Sequence, residues 1–538
     1  MDDITTHDPS RLLSTQSMPS EILLKIFGML TQGDCLRCMS VCRAWYKTIP
    51  QYTHHCFRSV FLKGNRGHAD NTRLQKCLGS HVKSAVLDSC DTQAQLEALL
   101  TMFDRHQCYD IRQLCIRRCP VRDGNTLIQH LQRLGRLERI SFHNTRFDVA
   151  ILSFLSSLIS TCRSLTHLTC NTTFAMEGVS LPSESMLIHD SEINHNMRFL
   201  RLGLHTPTLS QALVLLVRCP QLRYFSTCCA NDVDARLVLL LCPKLAFFEC
   251  QMLAKRYRRW LDHNDDDDDE QGLPLPPSVQ QEQQRSSTSL RELTLEPISF
   301  EQQVLDLHHP CLQRLEVGVT HGDEEIIRGL LRNTPMVEEL RLCFYDVVDY
   351  IPAMIQPLSN LRNLQLWLLR TRENQEELIP MFEGFHHLLP PDLSVSIKCN
   401  LYQHASPHTF RNILLSMAGI RQLKCINLHS LQNIDDNHLI SFFEHVSQHQ
   451  IEAVTLAFPT MSFSLLYLIA HRLPHLVHFE IAYCGGISRR GLRTLVETKA
   501  RTSPGKLTLK IRLSYMDDGT KANDIHVCIG QDPFPLIQ

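Results

Sequence analysis

The chain has 538 residues, of which 43% are apolar and 20% are charged, and its 54 basic side chains nearly balance its 56 acidic ones. This apolar content can build a sizeable core and excludes wholesale disorder. The net charge of −2 argues against a protein whose main task is to hold a nucleic-acid backbone. The N-terminal sequence lacks the apolar stretch of a secretory signal, and no apolar run approaches the ~20 residues of a membrane span. We therefore expect a soluble protein of the cytoplasm, the nucleus or both, without membrane or nucleic-acid partners.

Residues 18–45 carry the pattern of a short helical module. Pro19 suits the start of a helix, because the first helical position has no N–H bond to lose. Gly33 and Asp34 are expected to end this helix, with Asp34 capping the next one. The two helices carry apolar stripes, namely Ile22, Leu23, Ile26, Phe27 and Leu30 on the first and Leu36, Met39, Val41, Cys42 and Trp45 on the second. Two short helices cannot bury so many apolar residues by themselves, so the pattern indicates a partner that covers the excess.

The same stretch resembles an F-box. Its motifs read Met18-Pro19-Ser20-Glu21-Ile22, Ile26-Phe27-Gly28-Met29-Leu30, Asp34-Cys35-Leu36 and Val41-Cys42-Arg43-Ala44-Trp45. The resemblance implies docking onto a Skp-type adaptor, which joins the module to a cullin scaffold that carries the ubiquitin-transfer machinery. The expected adaptor contacts are Pro19, Ile22, Leu23, Ile26, Phe27, Leu30, Leu36, Val41, Cys42 and Trp45.

The rest of the chain repeats. The pattern apolar-x-x-apolar-x-apolar recurs from residues 111–116 to residues 476–481, mostly at intervals of about 22–32 residues. The unit from Leu476 to Leu495 resembles the cysteine-containing leucine-rich repeats. The resemblance implies an α/β solenoid with a curved parallel sheet on its concave face and helices on its convex face. The apolar positions Ile426, Leu428, Phe479 and Ile481 are expected to point inward.

These patterns divide the chain into segments. We expect a disordered N-terminus at 1–15, an F-box at 16–62, a linker with a first irregular repeat at 63–108, a repeat array at 109–520 and a C-terminal tail at 521–538. Within the array, residues 262–289 combine an aspartate run with proline, glutamine and serine, which predicts a disordered insert. The repeat pattern is weakest before residue 110 and at 367–415.

Two charged clusters suggest possible functions. The aspartate run at 265–269 fails as a calcium loop, because Ser278 stands where a bidentate glutamate is needed. Residues 255–260, with sequence KRYRRW, could act in nuclear import or nucleic-acid contact. We favour the simpler interpretation that these residues neutralise the neighbouring acidic run.

No pattern indicates catalysis. The chain lacks the common nucleophile, P-loop and zinc-protease motifs. Cys35, Cys38 and Cys42 are spaced to share one face of a single helix, where three ligands in two turns do not make a structural zinc site. We therefore predict a non-catalytic protein without metal or cofactor.

The combined interpretation is a substrate-recognition subunit of a Skp–cullin–F-box ubiquitin ligase, which promotes ubiquitination and proteasomal degradation of a captured protein. The alternative is an F-box and leucine-rich-repeat scaffold that acts without ubiquitin transfer. Outward strand positions are the expected substrate contacts, and we single out Asn427, His478 and Glu480. The identity of the captured protein is not encoded in any pattern of this chain.

Overall fold

The computed structural model describes residues 19–64, 68–172, 192–203, 209–229, 235–252, 288–296, 307–319, 324–344, 350–368, 378–401, 407–430, 436–458, 460–502, 507–512, 514–515, 521–522 and 525–528. The chain forms two compact units. One comprises Met1–Leu245 and Met252–Gln283, and the other comprises Ala246–Gln251 and Gln284–Gln538. Residues 1–15, the cluster at 255–260 and residues 262–287 of the acidic insert lie outside the described residues.

The first unit begins with three helices and continues as alternating strands and helices. Its described helices are α1 Ser20–Gly28, α2 Gln32–Cys38, α3 Arg43–Tyr52, α4 His68–Lys76, α5 Gln93–Arg105, α6 Gly124–Arg133, α7 Ile151–Thr161, α8 Leu209–Leu216 and α9 Ala235–Leu241. Its strands are β1 Ser59–Lys63, β2 Ser84–Asp88, β3 Gln113–Arg117, β4 Pro120–Val121, β5 Arg139–His143, β6 Arg146–Phe147, β7 His167–Asn171, β8 Phe199–Leu202 and β9 Tyr224–Cys229. A parallel sheet runs in the order β1-β2-β3-β5-β7-β8-β9.

The second unit repeats the same alternation. Its strands are β10 Phe247–Met252, β11 Glu292–Glu296, β12 Arg314–Val319, β13 Glu339–Phe344, β14 Asn363–Leu368, β15 Ser394–Leu401, β16 Leu423–Ser430, β17 Ala453–Ala457, β18 Thr460–Met461, β19 His478–Ala482, β20 Gly485–Ile487, β21 Thr508–Arg512, β22 Ser514–Tyr515, β23 Lys521–Ala522 and β24 Ile525–Cys528. Its described helices are α10 Glu324–Arg332, α11 Ile351–Ile355, α12 Leu378–Leu388, α13 Pro407–Ala418, α14 Asp436–His445, α15 Phe463–Arg472 and α16 Arg489–Thr502, with a 3₁₀ turn at Val446–Gln448. Strands β10 to β17, β19 and β21 pair in parallel in chain order.

Alternation along the strands explains why the repeats stack. Leu315, Leu340 and Leu364 lie side by side in register, and all three are buried. Each such side chain contributes roughly 1.5–3 kcal/mol on burial, and the helices provide the crossovers that parallel strands need. The positions expected to point inward are buried, namely Ile426, Leu428, Phe479 and Ile481. The predicted leucine-rich-repeat type of α/β fold, with a helical N-terminal module before the sheet, is therefore confirmed.

Several repeats end their strands with the same turn. The residue after the strand has a positive φ, and its backbone N–H donates to the carbonyl that ends the next strand. These residues are Ser89, Arg118, Asn144 and Tyr483, with N···O distances of 2.8–3.0 Å. A buried side chain follows, such as Cys119 or Cys484, whose Sγ donates back to a carbonyl of the preceding strand at 3.9 Å. These two buried cysteines thus link successive repeats.

Helix boundaries in the N-terminal module differ from the expectation. Helix α1 already ends at Gly28, and Gly33 and Asp34 lie inside α2 instead of separating the helices. The N-cap of α2 is Thr31, whose Oγ1 accepts a hydrogen bond from the Asp34 backbone N–H at 3.2 Å. The expectation was wrong because Thr31 and Asp34 occupy the two ends of a capping motif, which outweighs the weak helix propensity of glycine.

The sheet extends beyond the predicted array at both ends. Strand β2 lies in the segment 63–108, where a first irregular repeat was expected, and β1 begins inside the segment assigned to the F-box, so the sheet starts before residue 109. The signal in β2 is weak because small Ala85 stands where other repeats have a leucine or isoleucine. At the other end, β24 pairs antiparallel with β21, so the segment 521–538 is not only a tail. An antiparallel strand does not follow the repeat period, and the motif could not reveal it.

The segment 367–415, where the repeat pattern is weakest, contains a regular strand and helix. At the start of β15 the apolar residues Leu393 and Val395 are two positions apart where the motif requires three, and Ile397 then follows at the expected spacing. A bulge compensates, because Val395 pairs with Leu423 while the next residue, Ser396, pairs with Cys425. The missing residue hid the repeat from the pattern, and the bulge restored the register.

Candidate binding surfaces

Helix α1 has apolar residues on two sides. Leu23 and Phe27 are buried in the chain itself. Ile22, Ile26 and Met29 follow at the i, i+4 and i+7 spacing of a single helix face and are 45%, 40% and 81% exposed. The helix therefore contributes to the internal core and also presents an apolar stripe, which we call the α1 stripe.

The module that carries this stripe has a buried core that does not include it. Phe27 packs edge-to-face on Trp45 of α3, with ring centroids 6.0 Å apart. Cys35 and Met39 are also buried, and the Met39 sulfur lies 3.7 Å from the thiol of Cys77, which lies outside the module. The residues of the α1 stripe remain exposed outside this core.

The outward face of the second unit's sheet has the opposite chemistry. Arg314 of β12 lies between Glu292 and Glu339, its register partners on the adjacent strands, at N···O distances of 3.3 and 2.7 Å. The hydrogen bond to Glu339 raises the pKa of Arg314 above its usual value. Two residues further along, Arg341 binds Glu316 at 2.7 Å. Charged side chains therefore pair in rows across the strands.

An aromatic side chain interrupts these rows. Trp367 of β14 is half-buried on the outward face, between Cys343 of β13 and Lys398 of β15 in register. The Arg341 guanidinium carbon and the Lys398 Nζ each lie 4.3 Å from its ring centroid. Arg341 also donates to Gln365 Oε1 at 2.8 Å. The ring thereby holds two cations in fixed positions.

Comparison with known proteins decides the nature of the N-terminal module. Residues 15–58 match the family model described as F-box-like. The chain carries an F-box-like domain. Among solved structures, a leucine-rich-repeat protein of Leptospira interrogans is 12% identical, with a TM-score of 0.32, over 81% of this chain and 91% of that one. The yeast Rad7–Elc1 complex is 13% identical, with a TM-score of 0.33, over 78% of this chain and 88% of that one. No curated protein sequence matches the chain significantly.

The ten expected adaptor contacts fall into three groups within the F-box-like domain. Pro19, Ile22, Ile26, Val41 and Cys42 are exposed, Leu30, Leu36 and Trp45 are half-buried, and Leu23 and Phe27 are buried. The last two pack inside the domain, so in this structure they support the α1 stripe and offer no surface to a partner. The adaptor contacts of the other eight stay a prediction. The sequence interpretation missed Met29, although its spacing from Ile22 and Ile26 carried the signal.

The cysteines of this domain do not share one helix, as their spacing suggested. Cys35 and Cys38 belong to α2, which ends at Cys38, whereas Cys42 caps α3 by accepting the Trp45 N–H at 3.4 Å. Burial raises the pKa of the Cys35 thiol to about 12, so it stays protonated at neutral pH. Within the described ranges, no group of three or more histidine, cysteine or carboxylate side chains has the arrangement of a metal site.

The three expected substrate contacts lie on neighbouring strands of the second unit. Asn427 and Glu480 share one register row, with Thr455 between them. Glu480 is only 17% exposed and binds Arg512 at 2.9 Å, with His478 at 3.7 Å. The Glu480 carboxylate is therefore already engaged, which makes it a weaker candidate than Asn427. The pattern missed Trp367 and Lys398, because both lie in the segment 367–415, where the repeat register was unclear.

The described helices include none that is long and apolar enough to cross a membrane.

Proposed function

We propose that this chain is the substrate-recognition subunit of a Skp–cullin–F-box ubiquitin ligase. Its F-box-like domain binds a Skp-type adaptor, and the outward face of its repeat sheet captures a target protein. The observation that carries the proposal is the exposed α1 stripe on a helix whose other side, with Leu23 and Phe27, is buried. An apolar helix face that the fold does not cover is typical of a surface that docks into a groove of a partner.

The proposed contribution to the reaction is proximity. A receptor that holds a target lysine near a charged conjugating enzyme replaces a bimolecular encounter with a tethered one. This role needs two binding surfaces and no catalytic group in the chain. Ubiquitination and proteasomal degradation of the target then follow from the partner subunits.

Adaptor co-purification from cells tests the proposal. Ile22→Asp/Ile26→Asp places two carboxylates in the apolar contact, where unpaired charges are strongly disfavoured. We expect adaptor recovery to fall by about 100-fold or more, while the thermal midpoint changes little, because both side chains are partly exposed. Val477→Asp is the matched control, because Val477 is 43% exposed in the repeat sheet's unit and should leave adaptor recovery unchanged. Unchanged recovery of the adaptor with the double variant would overturn the proposal.

The same experiment separates the ligase role from a scaffold role. Recovery of cullin together with the adaptor supports the ligase subunit. Recovery of the adaptor without cullin, under conditions in which another F-box protein recovers both, would replace it by a scaffold that acts without ubiquitin transfer.

A further inference from the structure

Trp367, on the outward sheet face, contacts two cations, of which one pairs with a carboxylate and the other does not. Arg341 is neutralised, because its guanidinium binds the Glu316 carboxylate at 2.7 Å, and that carboxylate is only 13% exposed. Lys398 has no carboxylate within ion-pair distance among the described residues, and its Nζ lies over the Trp367 ring. Within the described part of this face, Lys398 is therefore a cation that is held in position and not neutralised.

More distant charges do not neutralise Lys398 either. Along its register row stand Asn427, Thr455 and then Glu480. Three strand spacings place Glu480 on the order of 14 Å away, and its carboxylate binds Arg512. His429 lies diagonally beyond Asn427, and burial and then the nearby Lys398 lower its pKa, so His429 is neutral at pH 7 and adds no cation. Lys398 is thus the local charge that an anion meets.

A second observation concerns the neighbouring strand. Asn427 is the direct register partner of Lys398, and its Oδ1 is buried without a hydrogen-bond partner in the structure. Buried carbonyl oxygens usually accept a hydrogen bond, and leaving one unpaired costs about 1–3 kcal/mol. Asn427 as a whole is only half-buried, so a small rotation of its side chain brings the unsatisfied Oδ1 to a donor on the outward face.

The two observations together define the chemistry of an occupant. Lys398 Nζ requires a negatively charged acceptor, and Asn427 Oδ1 requires an N–H donor about one strand spacing away. An anion without a hydrogen-bond donor, such as chloride, satisfies only the first requirement, and phosphate, which carries O–H donors, is therefore the stricter competitor. A peptide with an acidic side chain satisfies both, because its carboxylate and a backbone N–H lie within a few ångströms of each other.

We propose that Trp367, Lys398 and Asn427 form a binding site for an acidic segment of a captured protein. An aspartate or glutamate carboxylate of that segment accepts a hydrogen bond from Lys398 Nζ beside the Trp367 ring, and an N–H of the segment donates to Asn427 Oδ1. The ring holds the ammonium in place before binding, which reduces the entropy lost on association. This site deepens the proposed function, since it rests on the sheet face being the capture surface, and it names the class of substrate.

Direct peptide binding to the purified full chain tests the site. The probes are a fluorescent glutamate-rich peptide and its glutamine counterpart of the same length, compared by anisotropy at low ionic strength. We expect the acidic peptide to bind at least about tenfold more tightly than the neutral one, because only it can pair with Lys398. Equal binding of the two peptides would overturn the proposal.

Two variants and one control locate the binding. Lys398→Met keeps the aliphatic contact with Trp367 and removes the charge, and Asn427→Asp supplies a carboxylate that pairs with Lys398 in place of the peptide. Each should weaken acidic-peptide binding by about tenfold or more, without lowering the thermal midpoint. Arg411→Met removes an exposed cation from α13, in the same repeat as Lys398, and should leave binding unchanged. Wild-type binding by Lys398→Met would overturn the site.

Competition with inorganic phosphate separates a peptide site from a general anion site. Displacement of the peptide by phosphate at concentrations where an equal ionic strength of chloride has no effect would assign the site to free anions and overturn the peptide proposal. The peptide assay does not need the adaptor. If the peptide assay fails while adaptor recovery behaves as expected, only the inference on substrate class is overturned. If only the adaptor co-purification fails, the ligase role is overturned.

Discussion

The α1 stripe and the outward sheet face are both outside their cores, yet they differ in chemistry. The stripe consists of the apolar residues Ile22, Ile26 and Met29, and the exposed Lys25 lies beside them. The sheet face carries rows of paired arginine and glutamate, with Trp367 among them. Apolar contact gives strong association with little dependence on partner detail, whereas charged rows discriminate among partners.

This difference fits two kinds of association. A subunit contact that must form with a constant partner is served by an apolar helix face of fixed spacing. A surface that must distinguish target proteins is served by charges and a few fixed aromatic groups, because like charges and unpaired polar groups penalise wrong partners. In this chain the α1 stripe thus serves affinity for a constant partner, and the outward sheet face serves discrimination among target proteins.

The largest expected effect comes from comparing a side chain of the sheet core with one of the α1 stripe. Phe479 is fully buried in the sheet core, and Phe479→Ala should lower the free energy of unfolding by about 3–5 kcal/mol. Ile26→Ala, in the α1 stripe, should lower it by less than about 1 kcal/mol while weakening adaptor binding. Thermal and denaturant melting measure both effects. A larger stability loss for Ile26→Ala would mean that the stripe belongs to the domain's core.

A buried lysine in the repeats departs from the pattern of charges that point outward. Lys499 of α16 is buried, and its Nζ donates to the Leu473 carbonyl at the end of α15. Burial lowers the pKa of Lys499 to about 8. Between this value and the ordinary value near 10.5, the unfolded chain binds more protons than the folded one, so stability rises with pH in that window.

The measurable consequence is a difference between wild type and Lys499→Met. Raising the pH from 7 to 9.5 should raise the wild-type thermal midpoint relative to that of the variant. Only the wild-type protein has a buried ammonium group, which destabilises the fold until it loses its proton. A shift of about 2 °C is expected for each kcal/mol, since the midpoint of a unit of this size moves by no more than that. Parallel pH dependence of the two proteins would show that Lys499 titrates normally.

The smallest effect concerns an exposed aromatic residue in the repeats. Tyr483 is 61% exposed, but it has a φ of 57° and its N–H donates to the Arg512 carbonyl. Tyr483→Gly should raise the free energy of unfolding by about 0.5–1 kcal/mol, because glycine adopts this backbone conformation without steric cost. Tyr483→Ala retains that cost and serves as the control. Destabilisation by the glycine variant would indicate that the ring packs on a neighbour, and would make Tyr483 part of an organised surface.

The sequence determined the fold type because each repeat carries the same local pattern. Alternating apolar residues such as Phe479 and Ile481 specify which face of a strand is buried, independently of distant parts of the chain. The F-box motifs likewise identified the N-terminal domain. The pattern failed where local spacing changed, at the bulge beside Val395 and at the antiparallel strand Ile525–Cys528.

Only the tertiary structure decided which apolar residues of α1 are available to a partner. Ile26 and Phe27 are adjacent and equally apolar in the sequence, but Phe27 packs on Trp45 while Ile26 remains 40% exposed. The same holds for the sheet face, where Arg341 and Lys398 are 57 positions apart yet hold the same ring. Periodicity assigns a side chain to a face of its own helix or strand, whereas the neighbours on that face come from other repeats, whose register is set by packing.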